Sequence, residues 1–174
     1  MLRFLSLLLL LLLGGCATTG SFTKPKKPEH LYLEPITNRT SQEGLDVIFT
    51  QVADEVFYSD PRFKVDSLPV PDRTLVVKVS VNSVSATPVG YDRNDVAREY
   101  MLTVKATVKV FKYGYKKPLY TFQVERYGFY NTYGTASDIE EKRRECLRRV
   151  AREIFREVGE RLYYNEGLKG VQRR

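Results

Sequence analysis

The segment from Leu102 to Val110 constrains the fold most, because apolar residues alternate there strictly with threonines and lysines. Side chains of a strand point to opposite faces in turn, so one face of this strand is apolar and the other is polar. The segment from Leu75 to Val81 has a similar alternation, interrupted by Val76 on its otherwise polar face. The sequence therefore predicts strands that bury one face of a sheet and leave the other face to water or to a polar partner.

Two other segments repeat apolar residues at the three- and four-residue spacing of a helix face. They predict helices at about 43–58 and 138–162. The pairs Thr40–Glu43 and Ser137–Glu140 have the spacing of a capping box at the two helix starts. The second helix is densely charged on its remaining surface, but its acidic and basic residues nearly cancel. This balance indicates a solvated face.

These elements predict an α+β fold, a two-layer sandwich with two helices packed on one face of a sheet. We expect a four-stranded, mostly antiparallel sheet and the element order β-α-β-β-β-α. The outer strands are expected in HLYLEPI and after Pro118. TPVGYDRNDVARE is expected to be a long polar loop and KYGYKKP a tight turn. The whole domain is expected at residues 30–165.

The N-terminal segment MLRFLSLLLLLLLGGC has the features of an export signal. A basic residue precedes an apolar run that is shorter than the roughly twenty residues needed to span a membrane. The run from Phe4 to Leu13 ends three residues before Cys16, and Leu13-Gly14-Gly15-Cys16 resembles the lipobox of bacterial lipoproteins. We therefore expect a signal peptide at 1–15, lipidation of Cys16, a flexible tether at 16–29 and a basic tail at 166–174.

Side chains suited to catalysis or metal binding are scarce. His30 is the single histidine, and neither a metal-ligand spacing nor a phosphate-binding loop occurs. The second cysteine, Cys146, lies on the apolar stripe of the second predicted helix, where we expect it to be buried and unreactive. The sequence therefore predicts no catalytic residue, no metal site and no cofactor.

The net charge of +7 indicates an anionic partner. In an exported protein the available polyanions are lipid headgroups, lipopolysaccharide phosphates and cell-wall polymers, so no nucleic-acid partner is expected. The uncompensated charge lies in the tether and in the segment from Leu102 to Val124, which contains five lysines and no acid. We therefore expect an anion-binding surface near the turn of that hairpin.

The order of these motifs resembles the LptE family, also called RlpB, of lipopolysaccharide-assembly lipoproteins. The resemblance covers nearly the whole mature chain and rests on the lipobox, LEPITNRT, SDPR, LVVKVSVNSV, EYMLTVKATVKVF and QVERYGFYN. It implies a protein that is lipid-anchored on the periplasmic side of the outer membrane and has no cofactor or catalytic residue. It also implies that the protein plugs the barrel of an LptD-like partner, supports barrel assembly and binds lipopolysaccharide.

The resemblance and the local charge together give two sets of candidate residues. The candidates for lipopolysaccharide binding are cations of the long loop and of the turn: Arg93, Arg98, Lys112, Lys116 and Lys117. The candidates for barrel contact are tyrosines of the turn and of the segment after the last strand: Tyr113, Tyr115, Tyr127, Tyr130 and Tyr133. We expect the loop to lie beside the turn. A further basic position that the family implies near the start of the last helix has no clear match, because GTASDIEE is acidic.

Two other functions remain open on the sequence alone. A periplasmic lipoprotein with a related α/β sandwich could act as activator or subunit of a cell-wall synthase or of a secretion assembly. A carrier of anionic lipids would need an enclosed apolar cavity, and the apolar residues are only sufficient to fill the layer between helices and sheet. Co-purification of a large β-barrel would favour the family function over both.

Overall fold

The computed structural model describes residues 27–164. Within this range the chain forms, in order, β1 (Glu29–Leu33), β2 (Thr37–Asn38), α1 (Leu45–Ser59), β3 (Phe63–Val65), β4 (Leu75–Tyr91), β5 (Ala97–Lys112), β6 (Tyr120–Asn131) and α2 (Ala136–Tyr164). The signal peptide at 1–15, Cys16, the tether up to residue 26 and the tail at 166–174 lie outside the described residues.

The strands of the described range form one mixed sheet, with the order β3-β1-β4-β5-β6. β1 pairs in parallel with β3 and β4, and β2 pairs in parallel with β4 just beyond β1, whereas β4, β5 and β6 are antiparallel. The predicted number of four strands is therefore wrong. β2 has two residues and β3 has three, too few for an alternating pattern to appear in the sequence.

Both helices pack on the same face of the sheet, as predicted, and enclose one hydrophobic core. Phe155 of α2 lies edge-on to Phe49 and Phe57 of α1, with ring centroids 6.1 and 6.3 Å apart. The alternating residues of β4 and β5 supply the sheet side of the core: Val77, Val79, Val81, Leu102, Val104, Ala106, Val108 and Val110. The period-two pattern in the sequence thus identified the buried face correctly.

The helix starts differ from the predicted capping boxes. Gly44 precedes α1 in a left-handed conformation without a side-chain cap, and the hydroxyl of Thr40 donates to Asn38 Oδ1 instead. At α2 the capping pair lies two residues before the predicted one. Asp138 N donates to Thr135 Oγ1 at 3.2 Å, and Thr135 N donates to Asp138 Oδ2 at 2.8 Å.

β4 and β5 form a hairpin that is much longer than predicted. They pair from Leu75 opposite Lys112 to Tyr91 opposite Ala97, so TPVGYDRNDVARE extends both strands and only 92–96 remains as the turn. A bulge between Val81 and Ser83 shifts the alternation of β4 by one residue. The shifted register and the serine- and threonine-rich composition concealed this half of the strand in the sequence.

The outer edge of β4 is open beyond β2. β2 reaches only as far as Val81, and no described strand pairs with β4 on that side from residue 82 onward. The segment from Val79 to Tyr91 contains no charged residue. Sheet edges are usually protected by charges, prolines or bulges. Here the protection consists of Pro88 and of the register irregularities that follow Val81, Pro88 and Gly90.

Cys146 is buried in the core, as predicted, and burial raises the pKa of its thiol. It packs against Gly128 of β6, where the strand and α2 approach closely. None of the described helices combines the length and the apolar character needed to cross a bilayer.

Candidate functional site

The β4–β5 hairpin separates the predicted site residues into two groups. The turn at 92–96 and the loop at 113–119 lie at opposite ends of β5, which has 16 residues. At about 3.4 Å per residue the strand is roughly 50 Å long. The expectation that Arg93 and Arg98 lie beside Lys112, Lys116 and Lys117 is therefore wrong. The candidates form two sites, which we call the hairpin end and the anchor end.

The hairpin end comprises residues 89–99 and 127–133. Asp92 organises its turn by accepting hydrogen bonds from the backbone N–H groups of Asn94 and Val96, at 2.8 and 3.1 Å. Arg98 Nε also donates to Asp92 Oδ2 at 2.8 Å, and these bonds hold the pKa of Asp92 below its ordinary value, the Arg98 bond contributing most. Arg98 is therefore engaged within the protein.

Arg93 is the exposed cation of the hairpin end. It makes no ion pair with any described residue. The acidic residues Asp92, Asp95 and Glu99 surround it in sequence, so the hairpin end as a whole is not strongly basic. Among the described residues, Arg93 is therefore an isolated unpaired cation at this end and does not belong to the basic cluster that the sequence analysis expected around the turn lysines.

Exposed aromatic residues lie on the open sheet face near the hairpin end. Tyr127 and Phe129 of β6 are 62% and 45% exposed and pack edge-to-face at 5.7 Å. Tyr133 is also exposed and lies under the guanidinium of Arg98, 5.6 Å from it. Tyr130 differs from these candidates, because it lies on the helix side of β6 and stacks on Tyr100. Burial raises the pKa of Tyr130.

The structure brings one basic segment to the hairpin end that the sequence analysis did not assign. Lys142 of α2 donates through Nζ to Tyr133 O at 2.6 Å and to Asn131 Oδ1 at 2.8 Å. Arg143, the next residue, donates to Gln42 at 2.6 Å. Both follow the acidic helix start by one turn. The sequence analysis treated the charge of this helix as balanced and therefore did not single out Lys142 and Arg143. The basic run KRR was the feature of the sequence that could have indicated them.

The anchor end comprises residues 27–29, the loop at 66–74 and the loop at 113–119. Lys112 Nζ lies 3.6 Å from Asp72 Oδ1 and 5.8 Å from the ring of Tyr115, whose hydroxyl donates to Asp72 at 3.2 Å. Lys116 and Lys117 are exposed and make no ion pair within the described range. The two loops are thus joined through Asp72, and two of the three candidate lysines remain available.

The charges of the β5 lysines are compensated by more acidic residues than the sequence indicates. Lys105 pairs with Glu125 across the β5–β6 ladder at 3.2 Å, and Lys112 pairs with Asp72. Their partners come from other strands and loops, so a reading along one segment could not find them.

His30 belongs to a polar cluster beside the anchor end. Arg73 donates to His30 Nε2 at 2.7 Å, which leaves Nδ1 to donate to Asp66 at 2.9 Å. The hydroxyl of Thr74 also donates to Asp66 Oδ2 at 2.9 Å. Burial alone would raise the pKa of Asp66, but the bonds from His30 and Thr74 hold it below its ordinary value. The cluster ties β1 to the loop that precedes β4.

Fold and surface together define an α+β domain with exposed aromatic residues at one end of an open sheet and exposed lysines at the other. The chain belongs to the LptE family: the family model, described as lipopolysaccharide-assembly, matches residues 29–162. This family consists of non-enzymatic lipoproteins.

Solved structures share the fold at low sequence identity. The rare lipoprotein B of Shewanella oneidensis is 14% identical with a TM-score of 0.53, and the match covers 83% of this chain and 98% of that one. A hypothetical protein of Chlamydia trachomatis is 13% identical with a TM-score of 0.55, covering 78% of this chain and 96% of that one. No curated protein matches the sequence.

Proposed function

We propose that this protein is the lipoprotein partner of an LptD-like outer-membrane β-barrel and supports both barrel assembly and lipopolysaccharide insertion into the outer leaflet. It would be anchored on the periplasmic side through acylated Cys16. Membership of the LptE family supports this function. The barrel partner, the lipid anchor at Cys16 and the roles of the site residues are our proposals.

The observation that carries the proposal is the exposed surface near the hairpin end. Tyr127 and Phe129 are exposed beside threonines and serines of β4 and β5, and Val89, Tyr91 and Val96 add exposed apolar area. Contiguous exposed apolar area on a soluble domain commonly marks a binding surface. The interior of a large barrel is polar and hydrated, so a mixed aromatic and hydroxyl-bearing sheet face suits it. We therefore assign barrel contact to this face, with Tyr133 at its rim.

Lipopolysaccharide contact is assigned to the tip of the hairpin. Arg93 is exposed in the same turn region as Tyr91 and Val96, which are exposed as well. A guanidinium can bind a phosphate through two parallel hydrogen bonds, while neighbouring apolar groups suit the boundary with acyl chains. Arg98, held by Asp92 and Tyr133, positions the turn and does not offer a free charge.

Barrel contact is tested by co-purification from outer membrane in mild detergent. The double variant Tyr127→Ser/Phe129→Ser should lose most of the co-purified barrel. Tyr58→Ser/Tyr164→Ser is the matched control, because these tyrosines are 66% and 67% exposed but lie at the far ends of α1 and α2. Equal barrel recovery with both double variants would contradict the assignment. Recovery of a cell-wall synthase in place of a barrel would favour the alternative function.

Lipopolysaccharide contact is tested with Arg93→Glu against Arg148→Glu, an exposed arginine in the middle of α2. Both changes alter the net charge equally and remove no buried contact. Binding of lipopolysaccharide to purified protein should weaken for Arg93→Glu alone. Binding by the parent protein should weaken as salt rises, because exposed charges are screened. Undiminished binding by folded Arg93→Glu would exclude the hairpin tip as the contact.

A further inference from the structure

The anchor end is the end of the domain at which the tether joins it. Leu31 of β1 pairs with Leu75 at the start of β4, so Glu29 lies beyond the first residue of β4. Leu75 also pairs with Lys112 at the end of β5. The N-terminal residues of the domain, the 66–74 loop and the 113–119 loop therefore lie at the same end of the sheet, opposite the hairpin tip.

Exposed apolar side chains project from the two loops of the anchor end. Leu68 is 78% exposed, and Val70, Tyr113 and Tyr115 are exposed as well. The loops are joined by the bond from Tyr113 N to Thr74 O at 3.0 Å and by the contacts of Asp72 described above. These apolar groups thus lie on one connected surface that is held in place.

Uncompensated cations accompany these apolar groups. Lys27, Lys64, Lys116 and Lys117 are exposed and have no ion-pair partner within the described residues. The acids of the 66–74 loop are engaged within the protein: Asp66 accepts bonds from His30 and Thr74, and Asp72 pairs with Lys112. The surface of the anchor end is therefore positive as well as partly apolar.

The length of the tether limits how far the anchor end can lie from a bilayer. Eleven peptide units join Cys16 to Lys27, and a fully extended chain of that length spans at most about 40 Å. β5 alone is roughly 50 Å long, so the hairpin tip can lie much farther from the surface than the anchor end can. A lipid at Cys16 thus favours contact of the anchor end over contact of the hairpin tip. The tether alone does not require the anchor end to touch the bilayer. The exposed apolar side chains and unpaired lysines of the anchor end are suited to such contact.

We propose that the anchor end lies against the anionic phospholipid surface, with Leu68 and Tyr115 at the level of the headgroups and Lys116 and Lys117 against their phosphates. Aromatic and apolar residues that carry lysines beside them are typical of protein surfaces at the membrane interface. Such contact supplies the second attachment that stable anchoring needs besides acylation. The proposal rests on the lipid anchor at Cys16 and does not depend on the barrel or on Arg93.

The sequence analysis assigned the turn lysines to lipopolysaccharide, whose phosphates offer the same chemistry. A phospholipid surface fits the geometry better, because these lysines face the side from which the anchor comes. An open cleft of about 390 Å³ between the 113–119 loop and the sheet, lined partly by Tyr32, Phe111 and Lys116, could admit one headgroup.

The test measures contact of each end with the bilayer in the lipidated full-length protein. A fluorophore is attached at Ser67→Cys, which leaves Leu68 intact, or at Asn94→Cys at the hairpin tip; the native Cys146 is buried and does not react. The protein is reconstituted into phosphatidylglycerol-containing vesicles with brominated acyl chains, without lipopolysaccharide. We expect strong quenching at residue 67 and little at residue 94. Equal quenching at both positions would overturn the proposal.

Charge reversal identifies the contribution of the lysines. Each lysine close to an anionic surface contributes about fivefold to association, so Lys116→Glu/Lys117→Glu should lower the equilibrium constant for contact at least about 25-fold. Quenching at residue 67 should then fall to the level at residue 94. Arg144→Glu/Arg148→Glu has the same change in charge on the exposed side of α2, away from this end, and should leave quenching unchanged.

Two further results would refute the proposal. If quenching at residue 67 persists in Lys116→Glu/Lys117→Glu, the lysines do not bind the anchor end to the bilayer. Quenching that occurs only when lipopolysaccharide is added would assign the lysines to that ligand. Barrel co-purification, measured on the same lysine variant, should be retained. This separates failure of the membrane contact from failure of the proposed barrel function.

Discussion

Gly128 is the position where one added carbon should disturb the fold most clearly. It lies on β6 where α2 crosses the strand. A Cβ built there would lie 2.9 Å from Cys146 Sγ and 2.9 Å from Val150 Cγ2. Both neighbours are buried, with 0% and 1% of their surface exposed, so neither can turn away into solvent. Gly128→Ala must therefore push α2 and β6 apart.

The cost follows from two opposing effects. Overpacking a tight core costs about 1–3 kcal/mol. Alanine also removes the entropic disadvantage of glycine in a strand, which offsets roughly 0.5–1 kcal/mol. We expect a net loss of about 1–2 kcal/mol, or a fall in Tm of roughly 2–8 °C for a domain of this size.

Gly159 provides the matched control, because it is a buried glycine of α2 with ordinary space around it. The nearest atom to an added Cβ is Phe63 Cε2 at 3.5 Å, and alanine is the better helix former by about 1 kcal/mol. Urea unfolding should therefore show Gly128→Ala less stable and Gly159→Ala more stable than the parent. Adding Cys146→Ala to Gly128→Ala should recover part of the loss. Stability shifts of the same sign for both glycines would refute the packing argument.

Other predictions address the core, the polar cluster and the anchor. Val150→Asp buries an unpaired carboxylate and should cost several kcal/mol, abolishing cooperative unfolding or cutting yield; an unchanged Tm would contradict the packing of α2. Because the pKa of Asp66 is lowered in the folded protein, its carboxylate contributes stability that is complete above about pH 4 and is lost as pH falls through the folded pKa. In Asp66→Asn, the free energy of unfolding measured with urea should therefore depend less on pH in the acid range. Cys16→Ser should release the protein from the membrane fraction; a freely soluble parent protein would remove the basis for the anchor.

The buried face and the two helices could be predicted because periodicity reports them directly. Alternation along Leu102–Val110 and the apolar stripe of α2 depend only on which side faces the core. The short parallel strands β2 and β3 could not be predicted in this way. These strands form because their backbone groups make hydrogen bonds to β1 and β4. Two or three residues are too few for such pairing to produce an alternating pattern in the sequence.

The expectation that the candidate site residues lie close together was wrong, and the sequence already contained the reason. Three consecutive antiparallel strands place their two connections at opposite ends of the middle strand. The turn at 92–96 and the loop at 113–119 flank β5, so they could not lie side by side. By contrast, the ion pairs of Lys105 and Lys112 depend on acids distant in sequence, Glu125 and Asp72, whose positions only the folded chain reveals.

The open edge of β4 makes the solubility of this protein depend on its surroundings. From residue 82 to Tyr91 the backbone N–H and C=O groups on one side are unpaired within the described structure, and no charge repels a second strand. Two copies of the chain can pair strand to strand at this edge, and such pairing can propagate. High concentrations of the protein should therefore favour insoluble assemblies, which a lysine in place of Ser85 should suppress without disturbing the core.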